Sequence, residues 1–256
     1  MKNFFITLIG AFLLGSCNVS KTKTPFVHNG HAHNDYEHER PLYDALQYGF
    51  KSIEVDVHAW NDKLIVAHDS TDFSRLPDIM SLYINPLDSL LTHKLIDEKN
   101  LPIVLMVDLK TNKEIALDIL DRLTKSRKEL FYSRDKDAGP IQILISGEPS
   151  LVVLEQLDNP CLFIDGRFNR EYPKKLRSQV TRISGKFFSL FGHVNGEERN
   201  NLINDYLSQA HSNNQKVRFW GTRDHPDTWN ELRALNVDWI GTDDLAGFYN
   251  WSQKSD

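Results

Sequence analysis

The stretch Ser52-Ile53-Glu54-Val55-Asp56-Val57-His58 alternates apolar and polar side chains along one predicted strand. Successive side chains of a strand point to opposite faces, so the two carboxylates share one face and the apolar residues share the other. Two carboxylates so close together repel each other, and burying them without partners is costly. A divalent cation would remove this cost, because calcium and magnesium prefer oxygen ligands. The alternative is that Lys110 and arginine residues neutralise the acids as ion pairs.

Short apolar runs alternate with helix-like segments along the rest of the chain, as in parallel α/β folds. Eight runs are predicted strands, at 26–30, 51–58, 101–109, 141–146, 161–165, 182–190, 216–221 and 237–241. Amphipathic helices are predicted at 41–48, 113–125, 200–210 and 226–235, and an additional extended segment at 64–67. Eight strands are what a closed barrel requires, whereas an open doubly wound sheet would need a glycine turn for phosphate that is absent here. The sequence therefore predicts an α/β fold of the TIM-type (β/α)8 barrel class.

Charged residues follow several predicted strands, and active sites of such barrels lie at the C-terminal strand ends. The first strand runs into His31-Ala32-His33-Asn34-Asp35-Tyr36, and the eighth ends Ile240-Gly241-Thr242-Asp243-Asp244. Asp108 repeats the buried-acid pattern on the third predicted strand. His33 and His68 lie in extended stretches near these acids, and imidazole exchanges protons near neutral pH. Together they predict a metal site served by two acid–base histidines.

Other side chains near the predicted strand ends have less specific interpretations. Asp35 and Asp69 are predicted to orient the two histidines. Trp220 is predicted to line the substrate pocket, with a core position as the alternative. His31 and His58 are predicted to pack in the core or at the rim. Three more residues at the mouth have no assigned task, namely Arg218, Asp243 and Asp244.

The N-terminus has the pattern of an export signal. Lys2 precedes an apolar run at 4–14, and Leu14-Gly15-Ser16-Cys17 is similar to a bacterial lipobox, with an ordinary secretory signal as the alternative. We therefore expect a signal peptide (1–16), a tether lipidated at Cys17 (17–25) and a barrel domain (26–256). This pattern predicts an exported bacterial lipoprotein, held through its lipid alone and facing the periplasm from the outer membrane.

The overall charge argues against one class of partner. The chain of 256 residues has 30 Lys and Arg against 35 Asp and Glu, a formal net charge of −5. It has no basic stripe, so nucleic acid is not an expected partner. The protein is expected to act as a monomer.

The order of the polar motifs is similar to that of a known superfamily. The motifs are His33-Asn34-Asp35-Tyr36, Glu54-x-Asp56, His68-Asp69 and Asp108-x-Lys110. They resemble the glycerophosphodiester phosphodiesterases and phosphatidylinositol-specific phospholipases C. Within that superfamily the closest likeness is to the "altered inheritance of mitochondria" protein six group and its bacterial relatives. Further matching stretches lie at 41–46, 81–87, 218–220 and 237–245, so the resemblance runs from about residue 28 to 245.

The resemblance implies a phosphodiesterase barrel that cleaves a glycerophosphodiester- or phosphoinositide-like substrate. The partner that it implies is therefore a small or lipid-derived phosphodiester. By position, His33 and His68 would form the acid–base pair, and Lys110 would face the phosphate. One divalent cation would be bound by Asn34, Glu54, Asp56 and Asp108, with calcium favoured over magnesium. Asn34 matches the metal-binding asparagine of eukaryotic phospholipases C, whereas glycerophosphodiesterases have arginine there.

Two other functions are compatible with a barrel of this kind. His31-x-His33 is also how zinc amidohydrolases begin, but those enzymes need further histidines or a lysine at the ends of middle strands. A binding module that kept the fold and lost turnover is the second alternative.

Overall fold

The computed structural model describes residues 27, 29–69, 72–194 and 196–254. Nine strands lie in this part of the chain: β1 (Gly30–Ala32), β2 (Ser52–Trp60), β3 (Lys63–Val66), β4 (Ile103–Thr111), β5 (Ile141–Ser146), β6 (Leu162–Arg167), β7 (Val180–Lys186), β8 (Lys216–Trp220) and β9 (Trp239–Thr242). The α-helices of the same part are α1 (Tyr43–Gln47), α2 (Asn85–Thr92), α3 (Lys113–Ser126), α4 (Leu151–Leu157), α5 (Phe187–Phe191), α6 (Gly196–Ser212), α7 (Pro226–Ala234) and α8 (Leu245–Ser252).

Eight of the strands form a closed parallel barrel. Their order is β1-β9-β8-β7-β6-β5-β4-β2, and β1 pairs with β2 to close the ring. β3 lies outside the ring and pairs antiparallel with β2. Helices pack around the strands, so the predicted TIM-type barrel is confirmed.

The main hydrophobic core lies between the barrel and its helices. Ile53, Val55 and Val57 of β2 are fully buried in this layer, as their alternation predicts. The inner face of the strands has a smaller apolar cluster of Val104, Met106, Leu144 and Phe163. Other buried side chains of the barrel interior are polar, and they include His31, Glu54, Asp56, Asp165, Arg182 and Arg218. Branched apolar residues normally fill a barrel interior, so this composition marks a functional region.

Two predicted strands differ from the observed strands more than the others do. The predicted strand 26–30 is instead β1, which begins at Gly30 and extends into the histidine motif. The predicted strand 182–190 ends at Lys186, and the apolar run after it forms α5. Phe187 and Phe191 are one helical turn apart and their rings lie 5.2 Å apart, so the helix packs this run better than an extended chain.

The predicted N-terminal segments cannot be placed in this architecture. The signal (1–16), Cys17 and the tether (17–25) lie outside the described residues, so the division at residue 26 stays a prediction. Within the described ranges, no helix combines the length and apolar content that a membrane span needs.

Asp238, which precedes β9, hydrogen-bonds to residues at the start of β8 and at the end of α6. Its carboxylate accepts hydrogen bonds from the Val217 N–H at 2.9 Å, His211 Nε2 at 2.7 Å and Lys216 Nζ at 2.9 Å. Burial alone would raise the pKa of Asp238, but these hydrogen bonds outweigh burial and lower it. The ionised carboxylate therefore stabilises the fold at neutral pH.

Asp238→Ala is expected to lower the free energy of unfolding by about 1–3 kcal/mol at pH 7, because the Val217 N–H loses its acceptor. The folded pKa lies below the unfolded value of about 3.9, so the contribution is full above that pH and disappears as the pH falls through the folded pKa. Urea unfolding at pH 7 and pH 3 measures the difference. Asp205→Ala, on the exposed face of α6, should change stability by less than about 0.5 kcal/mol. An equal Asp238→Ala deficit at both pH values would contradict this explanation.

Candidate active site

Three carboxylates converge at the C-terminal ends of β2 and β4. The strands are parallel neighbours with Asp56 opposite Asp108, so Glu54 and both aspartates lie on the inner face. One oxygen from each residue lies within 4.8 Å of the others. Asp56 is fully buried, and its Oδ1 has no hydrogen-bond partner among the described residues. A cluster of buried oxygens with an unpaired acceptor fits a divalent cation such as calcium or magnesium.

Two basic side chains contact the same acids. Lys110 Nζ lies 2.9 Å from Asp56 Oδ2 and 2.6 Å from Asp108 Oδ2, and Arg218 Nη2 lies 2.8 Å from Glu54 Oε2. The ion pairs weighed as an alternative are thus present beside the oxygen cluster. The three carboxylates of the cluster thus outnumber the two basic side chains, Lys110 and Arg218, that contact them. Burial alone would lower the pKa of Lys110, but the two aspartates raise it, so this side chain is charged at neutral pH.

Tyr36 also contacts the acid cluster, and the sequence alone does not predict a role for it. Its hydroxyl donates to Asp56 Oδ2 at 2.9 Å. Burial and the neighbouring charge of Asp56 raise the pKa of Tyr36, which therefore remains a hydrogen-bond donor. The sequence feature that could have indicated this contact is the position of Tyr36 in the His33-Asn34-Asp35-Tyr36 motif.

His33 follows β1 and forms a pair with Asp243, which follows β9. His33 Nδ1 lies 2.7 Å from Asp243 Oδ1, so the carboxylate holds the proton on Nδ1 and leaves Nε2 available for proton exchange. Burial alone would lower the pKa of His33, but the hydrogen bond to Asp243 and the charge of Glu54 raise it. The Asp243 backbone is itself held, because its N–H donates to Asp224 and its carbonyl accepts from His38.

His68 is the more exposed of the two predicted acid–base residues. Its Nδ1 lies 2.9 Å from Asp69 Oδ2, as predicted for an orienting carboxylate. His58 Nε2 donates to the His68 carbonyl at 3.2 Å. The predicted orienting role of Asp35 is wrong, because Asp35 accepts from the Leu42 N–H and the Tyr83 hydroxyl and makes no contact with His33.

Both histidines line one cavity of about 680 Å³ at the mouth of the barrel. Four other predicted site residues line it too: Asn34, Glu54, Asp108 and Lys110. Asn34 adopts a left-handed backbone conformation, with φ of 46°, at the turn that follows β1. Trp220 lines the same cavity, which supports its predicted pocket position over a core position. Asp56 is fully buried and is not among the residues that line the cavity. The other predicted metal, acid–base and substrate residues share this one cavity, and their roles remain predictions.

The far wall of the cavity holds polar groups that sequence reasoning missed. Asp165 is buried, and it accepts hydrogen bonds from Ser146, Ser184 and Arg167. Arg167 Nη1 lies 2.8 Å from Asp165 Oδ2. Asp165 is the last residue of the predicted strand 161–165, and this position at a C-terminal strand end could have indicated that it belongs to the site.

The zinc amidohydrolase arrangement is not built by the described residues. Both ring nitrogens of His31 are already engaged, with Ser52 Oγ at 2.7 Å and Glu54 Oε2 at 2.9 Å. Burial and the nearby charges of Arg218 and Arg182 lower the pKa of His31 well below its usual value. The inner residues near the ends of β5, β6 and β7 include Ser146, Asp165 and Ser184, with no histidine within those strands. The lysine that ends β7, Lys186, is exposed.

Comparison with known proteins gives the same family as the sequence motifs. A family model described as the AIM6-like phosphodiesterase domain matches residues 20–102. The "altered inheritance of mitochondria protein 6" of Eremothecium gossypii is 26% identical over 86% of this chain and 68% of its own length. The corresponding homolog of Arthroderma benhamiae is 24% identical over 84% of this chain and 81% of its own. The resemblance to this group is therefore confirmed.

Two solved structures share the fold. A glycerophosphodiester phosphodiesterase from Parabacteroides distasonis has a TM-score of 0.59 at 20% identity, covering 90% of this chain and 98% of that one. A calcium-dependent phosphoinositol-specific phospholipase C from a Pseudomonas species has a TM-score of 0.52 at 11% identity, covering 90% and 93%. Both likenesses show the barrel fold alone.

The predicted location is wrong. The sequence was expected to be a bacterial lipoprotein at the outer membrane, anchored through Cys17. The curated relatives named above are fungal proteins, and fungi have no bacterial outer membrane. A short apolar run followed by Gly-Ser-Cys is a weak pattern, which explains how it indicated an anchor.

Proposed function

We propose that this relative of the AIM6-like phosphodiesterases is a metal-dependent phosphoric diester hydrolase. The observation that carries the proposal is the cluster of Glu54, Asp56 and Asp108, in which one oxygen from each lies within 4.8 Å of the others. Glu54 and Asp108 of this cluster line the same cavity as His33 and His68. Its substrate is a glycerophosphodiester- or phosphoinositide-like molecule.

The three carboxylates would hold one divalent cation, with Asn34 as a fourth oxygen donor at the edge of the cavity. Calcium is favoured over magnesium, because an all-oxygen site on several strands does not require strict octahedral geometry. When bound, the cation would neutralise charge on the phosphate oxygens and lower the pKa of the attacking group, which is worth several kcal/mol of barrier.

The protein groups would then handle protons and orientation. One of the two histidines takes a proton from a substrate hydroxyl or a water, and the other gives a proton to the leaving oxygen. Asp243 and Asp69 keep the imidazoles in the tautomers this requires. Lys110, which is charged and partly exposed to the cavity, lies where it can bind an oxygen of the phosphate. Trp220 would contact the alcohol portion of the substrate.

The test is turnover of phosphodiesters with and without metal. The purified protein is treated with EDTA and assayed on bis-p-nitrophenyl phosphate, glycerophosphocholine, glycerophosphoinositol and phosphatidylinositol vesicles. We expect negligible turnover after EDTA and recovery when excess calcium or magnesium is added, with calcium the more effective. Turnover that survives EDTA would contradict the metal requirement. No turnover of any diester with either cation would favour a non-catalytic binding module.

A further inference from the structure

A chain of hydrogen bonds runs through the barrel interior below the proposed cation site. Arg182 Nη2 donates to Ser52 Oγ at 2.9 Å, Ser52 Oγ lies 2.7 Å from His31 Nδ1, and His31 Nε2 lies 2.9 Å from Glu54 Oε2. His31 and Ser52 are completely buried, and Arg182 is nearly so. Burying this many polar groups is costly unless each is paired, so their arrangement is specific.

The position of every proton along this chain follows from donor and acceptor chemistry. A guanidinium only donates, so Ser52 accepts from Arg182. An ionised carboxylate only accepts, so His31 Nε2 carries a hydrogen and donates it to Glu54. Ser52 Oγ has only these two hydrogen-bond partners in the described part of the chain. Its own hydrogen must therefore point to His31 Nδ1, which leaves Nδ1 without a proton.

We infer that His31 is a positioning residue for the cation site: its Nε2–H orients the Glu54 carboxylate, and Ser52 and Arg182 fix the tautomer that makes this possible. Arg218 Nη2 donates to the same oxygen, Glu54 Oε2, at 2.8 Å. Two donors on Oε2 leave Oε1 as the oxygen free to contact a cation. Groups that orient a metal ligand in this way typically change metal affinity about 10–100-fold when removed. The inference rests on the proposed metal-dependent function.

A matched pair of substitutions separates this role from packing. In His31→Gln the longer amide reaches the position of Nε2 and can still donate to Glu54. In His31→Asn the amide reaches only the position of Nδ1, so Glu54 loses the donor while the site remains polar. Calorimetric titration with calcium and with magnesium is expected to show about 10–100-fold weaker binding for His31→Asn. Binding by His31→Gln should stay within about threefold of the wild type, a difference of less than 1 kcal/mol.

If His31→Asn does not fold, Ser52→Ala tests the same series of hydrogen bonds from Arg182 to Glu54. It keeps the imidazole but removes the hydroxyl hydrogen that fixes its tautomer, so we expect several-fold weaker cation binding. Ser212→Ala, at the exposed end of α6, is the matched control and should bind like the wild type. Unchanged affinity in both His31→Asn and Ser52→Ala would overturn the inference while leaving the metal-dependent function intact. Absence of binding by the wild type would instead overturn the metal-dependent function and this inference with it.

A spectroscopic measurement tests the tautomer without any cation. In ¹⁵N NMR of the histidine-labelled protein, the His31 signals are those that disappear in His31→Gln. We expect a protonated Nε2 and an unprotonated Nδ1 in the wild type, and a loss of this fixed tautomer in Ser52→Ala. A proton on Nδ1 of the wild-type ring would overturn the inference whatever the cation titrations show.

Discussion

His33→Ala and His68→Ala are each expected to lower kcat by about 10²–10⁴-fold with little change in KM, because each removes a group that moves a proton only during the reaction. His33 is paired with Asp243 and His68 with Asp69, so both imidazoles are held in a fixed tautomer beside the acid cluster. Initial rates on the best diester of the panel, with saturating cation, measure the effect.

The matched control for these variants is His93→Ala. His93 directly follows α2, and among the described residues its ring hydrogen-bonds only to the Ser89 carbonyl of that helix. It should turn over substrate at the wild-type rate. Near-wild-type kcat in either His33→Ala or His68→Ala would show that the residue is not part of the acid–base pair.

Asp56→Asn is expected to remove cation-dependent turnover, by more than about 100-fold, while the protein stays folded. Burial raises the pKa of Asp56, with Lys110 partly offsetting the effect, so the ionised carboxylate reduces stability at neutral pH. The amide removes that cost, and Lys110 keeps its contact with Asp108. The midpoint of thermal unfolding should therefore fall by no more than about 3 °C, or rise.

The control for Asp56→Asn is Asp118→Asn, which changes an exposed carboxylate of α3. Both proteins should unfold cooperatively, and only Asp56→Asn should lose turnover and calorimetric cation binding. Full activity in Asp56→Asn would exclude this carboxylate as a ligand. A collapse of the thermal transition would instead mean that Asp56 is needed mainly for the fold.

The parts of the site that sequence predicted are those set by local patterns. Alternation along one strand places Glu54 and Asp56 on the inner face, and the repeat of that pattern places Asp108 beside them once the strands pair. The eight strands followed from apolar runs of the right length and spacing. The predicted strand 182–190 extends past the observed end of β7, because the aromatic residues that follow favour both a strand and a buried helical turn.

The parts that sequence did not predict depend on barrel closure. His33 and Asp243 are 210 residues apart, and they meet only because β9 pairs with β1. Arg218 reaches Glu54 across the barrel interior for the same reason. No local pattern distinguishes such partners from surface charges. Asp35 shows that closeness in sequence does not ensure a contact. It is two residues from His33, but its carboxylate accepts from the Leu42 N–H and the Tyr83 hydroxyl.

Lys110 shows how the electrostatics of the site constrain its function. Lys110 is predicted to face the phosphate; in the structure it lines the cavity and also pairs with the two aspartates of the cluster. Cation binding by those aspartates would weaken both ion pairs, because the cation competes for the same oxygens. The freed ammonium group would then be available to an anionic substrate. Cation and substrate binding are therefore expected to support each other.

Anomalous scattering from a crystal soaked with calcium tests the claim that one cation binds among the three carboxylates. We predict one calcium peak, with an oxygen each of Glu54, Asp56 and Asp108 at about 2.3–2.6 Å, and Lys110 moved away from the aspartates. Saturating calcium with no peak among these residues, and Lys110 still bridging Asp56 and Asp108, would contradict the claim.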